Sequence, residues 1–357
     1  MKNSFFALRI SARRVVGLVV LVVFVMVLYH TQYPDRMMDT FDSQMNVNKV
    51  DLFQIINVTK TPRESLFKEA EAISHITFDT VEKEDTVYTI LILISSFITH
   101  RNRRIRIRET WGNSSMWATA DKYKVVFLTG KVNTASSMIE IAEEAKISKD
   151  IVLLDIPENF YLLSKKVIVG LTWAKHNMKF KSILKGDDDT FMNIDNIIHF
   201  INQNKKTDGY FGNLMYHQPV ERKGRYKLTK EEHKNDYFAP YCSGGGYILT
   251  NSTVYKIVPN FDLEKNLKID DAYIGEVAFN AGINATHTSG FYMWNTWCEY
   301  VKNIKVSHPA KDPECNQFLL LRSLIDNRKH PRDPVLEKQK YYKNVSYFIT
   351  TSKNRTN

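Results

Sequence analysis

The stretch ILKGDDDTFMN, Ile183 to Asn193, sets Asp187, Asp188 and Asp189 side by side after a short apolar run. Adjacent carboxylates repel, and a divalent cation is the strongest local charge able to hold them together. Oxygen ligands of this kind suit Mg²⁺ or Mn²⁺, which in turn bind phosphates. Taken alone, the cluster reads equally well as an acidic turn or a helix cap. A phosphatase of the Asp-x-Asp-x-Thr kind fails on spacing, because Thr190 directly follows Asp189 and Phe191 stands where that threonine belongs.

Three other stretches carry chemistry. Asp270 and Asp271, in IDDAYIG, could open a helix whose dipole favours them, or supply a general base aimed at a reacting hydroxyl. Gly244 to Gly246, in PYCSGGGYILT, would let backbone approach a ligand closely, or form a turn feeding a strand. Their spacing fits neither a phosphate-binding loop nor a dinucleotide fingerprint. RRIRIRETWG, Arg103 to Gly112, would show one basic and one apolar face if extended, and arginine suits phosphate. A charged edge strand or a solvated helix face is the plain alternative.

Elements that could position these groups alternate along the chain. TVYTILILISS, YKVVFLTG (Tyr123 to Gly130), DIVLLDI (Asp150 to Ile156) and SILKG (Ser182 to Gly186) read as buried strands. Between them, TASSMIEIAEEAK predicts a helix capped by Thr134, with Met138, Ala142 and Ala145 on one face. LLSKKVIVGLTWAKHN predicts a second helix, apolar on most sides and deeply packed. Such alternation argues for an α/β domain with a mostly parallel sheet, where ligands bind beyond the carboxyl ends of the strands. The aspartates follow SIL through a glycine and belong at that edge.

The ends of the chain bear on compartment. Val15 to Tyr29 is almost wholly apolar, and Lys2, Arg9, Arg13 and Arg14 precede it without an acidic partner. No charge appears between Arg14 and Asp35, and that uncharged stretch just suffices to cross a bilayer, while the flanking charge keeps the N-terminus cytosolic. No small-residue cleavage site follows, so a signal anchor is favoured over a cleaved peptide. The expected organisation is a cytoplasmic tail over 1–14, a transmembrane anchor over 15–34, a lumenal stem over 35–85, a catalytic domain over 86–325 and a polar tail over 326–357. Asn57, Asn113, Asn251, Asn284, Asn344 and Asn354 each begin a glycosylation sequon, consistent with export. Cys242, Cys298 and Cys315 allow one disulfide and one free thiol, with Cys242–Cys298 the expected pairing. The 357 residues are 43% hydrophobic and carry a formal net charge of +10. Glycine and proline are too sparse for a collagen-like or low-complexity chain. The positive charge is spread thinly, which favours anionic small ligands such as nucleotide diphosphates and argues against a nucleic-acid partner.

The order of these stretches carries more than any one of them. Arg-x-x-Ile-Arg-x-Thr-Trp (Arg104 to Trp111), FLTG, Lys-x-Asp-Asp-Asp-x-Phe-x-Asn (Lys185 to Asn193), PYCSGGGY and an acidic pair before AYIG follow one another. Over about Thr86 to Ile325 the chain resembles the β-1,3-glycosyltransferases (glycosyltransferase family 31), which include β-1,3-galactosyltransferases and β-1,3-N-acetylglucosaminyltransferases. The resemblance implies a GT-A-like nucleotide-sugar-binding fold in a Golgi type II membrane protein. Its activity would be a metal-dependent, inverting transfer from a UDP-sugar to the 3-hydroxyl of an acceptor glycan on a glycoprotein or glycolipid.

Residue by residue, the resemblance implies Mn²⁺, or Mg²⁺, on Asp189 and on His308 of IKVSHPAKDPEC. Asp187 and Asp188 would contact ribose, sugar or metal-bound water, Arg104, Arg108 and Lys166 would bind the donor, and Asp271 would be the general base. Leu162 and Glu158 depart from the residues usual at the start of that helix. Galactose leads as the transferred sugar because PYCSGGGY is nearest the galactosyltransferase form. N-acetylglucosamine and N-acetylgalactosamine are the alternatives, as is a membrane-anchored glycan-binding protein without turnover.

Overall fold

A computed structural model of the chain describes residues 63–329. The order begins with helix α1 (Arg63–Ser74), strands β1 (Ile76–Asp79) and β2 (Val87–Ser95), helix α2 (Arg101–Glu109), β3 (Tyr123–Lys131), α3 (Ala135–Ser148), β4 (Ile151–Pro157), α4 (Leu163–Asn177) and β5 (Lys179–Asp187). It continues through β6 (Phe191–Met192), α5 (Ile194–Gln203), β7 (Tyr210–Met215), β8 (Tyr241–Thr250), α6 (Asn251–Ile257) and α7 (Asp270–Asn280). Strands β9 (Ala285–His287), β10 (Phe291–Tyr292) and β11 (Val306–Ser307) and helix α8 (Pro313–Lys329) complete it.

The main sheet runs β1-β4-β3-β2-β5-β8-β7-β9. Its centre, β4-β3-β2-β5, is parallel, and these strands match the four read from sequence. The sheet as a whole is mixed, because β1 runs antiparallel to β4 and β8 antiparallel to both β5 and β7. The expectation of a mostly parallel sheet therefore holds at the centre and fails at the flanks. Central β2 is buried from Tyr88 to Ser95, as a strand covered by helices on both faces must be. Helix α4 buries Ser164 and every residue from Lys166 to Ala174 between this sheet and the helices α1, α6 and α7, as its all-round apolar pattern predicts.

The folded part starts before Thr86, so the stem expected over 35–85 is corrected from residue 63 onward. Glu69 of α1 is buried and meets Lys175 Nζ at 2.7 Å and His176 Nε2 at 2.6 Å on α4. Asp79 of β1 accepts a 2.8 Å bond from Trp173 Nε1. Scattered apolar residues conceal a helix and an edge strand whose polar groups are matched inside the domain. At the other end α8 runs through Lys329, past the boundary expected at 325. The anchor expected over 15–34 lies outside the described residues, among which no helix is long and apolar enough to cross a membrane.

A second, three-stranded sheet runs β10-β11-β6. Strand β11 is parallel to β10 and antiparallel to β6, pairing Tyr292 with Ser307 and Ser307 with Phe191. The start of β6 and the ends of β10 and β11 therefore share one edge. That edge meets the carboxyl end of β5, since only Asp188, Asp189 and Thr190 separate β5 from β6.

Candidate active site

Strand β5 ends at Asp187, and the three aspartates turn the chain into β6. The Ala310 N–H donates to Asp189 O at 2.6 Å, and Thr190 Oγ1 donates to Gly245 O at 2.9 Å. These contacts tie the acidic turn to the segment after β11 and to β8. Ligand atoms of Asp187, Asp189 and His308 lie within 4.8 Å of one another. His308 Nε2 is 3.3 Å from Asp189 Oδ1. Two carboxylates and one imidazole, converging and partly open, form a donor set that fits Mn²⁺ or Mg²⁺. The two metal-ligand expectations, Asp189 and His308, are thus brought together, with Asp187 as a third member.

Asp188 points elsewhere. Its carboxylate accepts from Ser96 Oγ at 2.8 Å and Arg103 Nη1 at 2.7 Å, and lies 2.8 Å from His100 Nδ1. Burial raises its pKa, but His100 and Arg103 outweigh that and hold it below the usual carboxylate range. Asp189 is likewise held low, its bond to His308 overcoming burial. Asp187 is pushed up by burial against the opposing pull of Lys185.

Lys185 is the charge on which the acidic groups converge. Its buried Nζ lies 2.9 Å from Asp187 Oδ1, 2.9 Å from Asp270 Oδ2 and 2.9 Å from Gly244 O. Burial alone would lower this ammonium, yet Asp187 and Asp270 carry it well above its ordinary value. A buried lysine must be paired, and two residues along a strand return to the same face. That pairing of Lys185 with Asp187 is a signal within the motif that the sequence reading did not use.

The acidic pair opens α7, so the helix-start reading of it holds. Asp270 and Asp271 occupy the first turn. Asp271 accepts the Gly244 N–H on Oδ2 at 2.7 Å and the Ala272 N–H on Oδ1 at 2.9 Å. Burial first, then the neighbouring Asp270, raises its pKa from 3.8 to about 7. A carboxyl at that value, partly open and held by two backbone donors, has the properties of a general base. The glycines set the approach. A Cβ on Gly244 would stand 3.2 Å from Asp271 Oδ2, and one on Gly245 only 2.6 Å from His308 Cγ. Consecutive β8 residues thus carry the Asp271 carboxyl and the imidazole of His308 on opposite faces. The glycine run lies inside a strand and not in a turn before it.

The three donor-binding cations expected from sequence are committed to the fold. RRIRIRETWG is helical through Glu109, so Arg104 and Arg108 share a face one turn apart. Arg104 is 1% exposed and holds both oxygens of Glu144 at 2.8 and 2.7 Å, with further bonds to Ser96 Oγ, Phe97 O and Ile98 O. Arg108 grips Asp150 at 2.7 and 2.8 Å and Glu144 at 2.8 Å. Glu144 accordingly turns inward on α3 beside Ile141 and Ala145, displacing the expected Met138–Ala142–Ala145 face. Thr134 sits at the N-cap of α3 without a side-chain cap bond. Lys166 is buried, its Nζ 2.8 Å from Glu158 Oε2 and 3.1 Å from Ser96 O. Glu158 also accepts from the Ile98 and Gly130 N–H groups. These residues fix the β2–α2 loop, while Arg103 and His100, which the sequence reading passed over, reach the aspartates.

Cys298 is bonded to Cys315 and Cys242 is a free, buried thiol, which corrects the expected Cys242–Cys298 pair. Cys242 lies within β8 against Gly212, inside the core, whereas Cys298 and Cys315 flank β11 on surface segments. Of the sequons, Asn284 is exposed and Asn113 caps a short helical turn. Asn251 donates its amide to Phe180 O at 3.1 Å. Asn57, Asn344 and Asn354 lie outside the described residues.

A family model described as Galactosyltransferase matches residues 102–289. Human N-acetyllactosaminide beta-1,3-N-acetylglucosaminyltransferase 4 is 29% identical over 57% of this chain and 54% of its own length. Human beta-1,3-galactosyltransferase 1 is 28% identical over 70% of this chain and 77% of its own. The chain thus spans about half of the first relative and about three quarters of the second.

Proposed function

Because the chain belongs to the galactosyltransferase family of β-1,3-glycosyltransferases, we propose that it transfers a sugar from a UDP-sugar to the 3-hydroxyl of an acceptor glycan. The observation that carries this reading is the convergence of Asp187, Asp189 and His308 within 4.8 Å, with Asp271 fastened to Gly244, the neighbour of the glycine on which His308 packs. Galactose is the sugar we favour, with N-acetylglucosamine and N-acetylgalactosamine next. The acceptor glycan is carried by a glycoprotein or a glycolipid. The fold reading is GT-A-like. The membrane reading is a single-pass type II Golgi protein with a lumenal domain, supported by the apolar run behind four basic residues.

Asp187, Asp189 and His308 would hold Mn²⁺ or Mg²⁺ against the donor diphosphate. When bound, the cation offsets charge developing on the UDP leaving group. Asp271 takes the proton of the acceptor 3-hydroxyl as that oxygen attacks C1 of the sugar, on the face opposite UDP. One displacement on an α-linked donor inverts the anomer and gives a β-1,3 linkage. The Gly244 and Ala272 N–H groups fix the carboxylate for that transfer, and Lys185 holds Asp187 and Asp270 in place.

The test is the full chain in detergent with a panel of UDP-sugars, oligosaccharide acceptors and Mn²⁺. Transfer from UDP-galactose that ceases with a chelator is expected. Transfer from another UDP-sugar would change the donor assignment. Tight UDP binding without turnover would favour the glycan-binding alternative.

A further inference from the structure

The edge of the small sheet that carries Asp189 and His308 carries a third group for which the transfer reading has no use. Strand β10 ends at Tyr292 and the chain enters Met293-Trp294-Asn295-Thr296-Trp297-Cys298. Trp294 is 63% exposed and Trp297 86% exposed. Indoles carry large apolar faces, and leaving two of them in water three residues apart on one segment forgoes the burial that usually accounts for tryptophan in a fold.

The segment that presents them is fastened, not loose. The Asn295 N–H donates to His308 O at 2.9 Å, and the His308 N–H donates to Tyr292 O at 2.9 Å. The Asn295 amide donates to Ser307 Oγ at 2.8 Å and to Glu299 O at 2.9 Å. Met293 packs on the same glycine as His308, its sulfur 2.8 Å from where a Gly245 Cβ would lie. Cys298 is tied to Cys315 at the start of α8. Trp294 has a φ of 63°, a left-handed conformation that is uncommon and strained for a bulky side chain. A strained backbone that holds an apolar ring in solvent, one hydrogen-bonded step from a metal-ligand candidate, points to a ligand contact.

We infer that Trp294 and Trp297 form a stacking platform for a pyranose ring of the acceptor glycan. The C–H face of a pyranose is apolar and slightly positive, and the indole face is its negative complement. The donor diphosphate belongs on Asp187, Asp189 and His308, so a ring resting on tryptophans that project outward from this edge belongs to the other substrate. An extended glycan lying there would carry its reactive end toward the Gly244–Gly245 step, where Asp271 stands. A lipid surface could also receive exposed tryptophans, but it would not need them fastened to a ligand of the reaction centre. The inference rests on the transfer reading for the identity of the acceptor.

The experiment uses the full chain with Trp297→Ala, Trp297→Phe and Trp294→Asn, the last chosen because asparagine tolerates positive φ. The acceptors are N-acetyllactosamine and oligosaccharides ending in galactose, N-acetylglucosamine or N-acetylgalactosamine. Trp297→Ala should raise the acceptor KM about tenfold or more, with the UDP-sugar KM and Mn²⁺-dependent UDP affinity unchanged, and Trp297→Phe should recover most of it. Trp294→Asn should raise the acceptor KM while raising Tm, separating a strained binding contact from a structural one. Saturation-transfer NMR with the same oligosaccharides reads binding without turnover, so a failure of transfer does not mask the result. An unchanged acceptor KM, a rise confined to the donor KM, or no oligosaccharide contact in the wild-type chain would overturn the inference. So would loss of adsorption to phosphatidylcholine vesicles as the sole effect of Trp297→Ala.

Discussion

On one side of the β2–α2 loop, Arg104 and Arg108 meet Glu144 and Asp150, and each guanidinium lies on a carboxylate. On the other side, Asp187, Asp189, Asp270 and Asp271 gather around Lys185 and His308. The first cluster is close to neutral, and its arginines hold Glu144 below its usual pKa in spite of burial, although burial raises Asp150 against the pull of Arg108. The second has more negative charge than Lys185 can offset, and burial drives Asp187 and Asp271 up. Balanced charge fixes the loop, and excess charge leaves room for a cation and a base. The contrast assigns structure to residues that the motif order suggested for donor binding.

The largest expected effect breaks the acidic side. Asp271→Asn should lower kcat about 10³-fold, within the range of general base catalysis, and leave Mn²⁺-dependent UDP binding intact. It should also hold or raise Tm, because a carboxyl raised to about 7 destabilises the fold when ionised. Turnover at the wild-type rate would remove Asp271 from the role of base.

The neutral side should fail differently. Arg104→Ala removes two of the three guanidinium bonds to buried Glu144, leaving only that from Arg108, and should cost about 3 kcal/mol in urea unfolding. Arg104→Lys should not restore it, because an ammonium cannot reproduce the fork across Glu144, Ser96, Phe97 and Ile98. A loss of UDP affinity at unchanged stability would return Arg104 to the donor site.

The central strands and the acidic side of this division were legible in advance, the role of its arginines was not, and the limits are physical. Periodicity located β2, β3, β4 and β5 and the deeply packed α4, because burial on both faces leaves an unbroken apolar run. The motif order brought Asp189, His308 and Asp271 to one region. Sequence did not separate Arg103 from Arg104, since adjacent arginines differ only in which helix face they occupy, and an extended reading assigns those faces differently. Nor did it find Glu144, whose burial depends on two arginines 36 and 40 residues away. Helix α1 and strand β1 were missed because their stabilising partners, Lys175, His176 and Trp173, lie far along the chain.

A smaller effect sharpens the contrast within the aspartate run. Asp189→Ala should weaken Mn²⁺-dependent UDP binding at least about 100-fold, since outer-shell partners alone are worth about 10–100-fold. Asp188→Asn should weaken it less, because Asp188 already bonds His100, Arg103 and Ser96. Calorimetry with UDP, with and without Mn²⁺, measures both. Equal losses would mean that Asp188 leaves its partners to join the ligand set.

The gentlest perturbation is pH, and on Asp271 it pulls activity and stability in opposite directions. The base must be ionised, so kcat should rise about tenfold per unit as pH approaches about 7 and level off above it. Between its ordinary value of 3.8 and about 7, the folded carboxyl keeps a proton that the unfolded chain releases. Its contribution to stability is therefore greatest at the acidic end and is lost as pH rises through that window. Asp271→Asn should flatten this part of the stability profile, while Arg104→Ala should leave it in place on a lower baseline. A wild-type profile in which kcat does not fall below pH 7 would mean that the base titrates at the ordinary value, and that burial beside Asp270 does not set it.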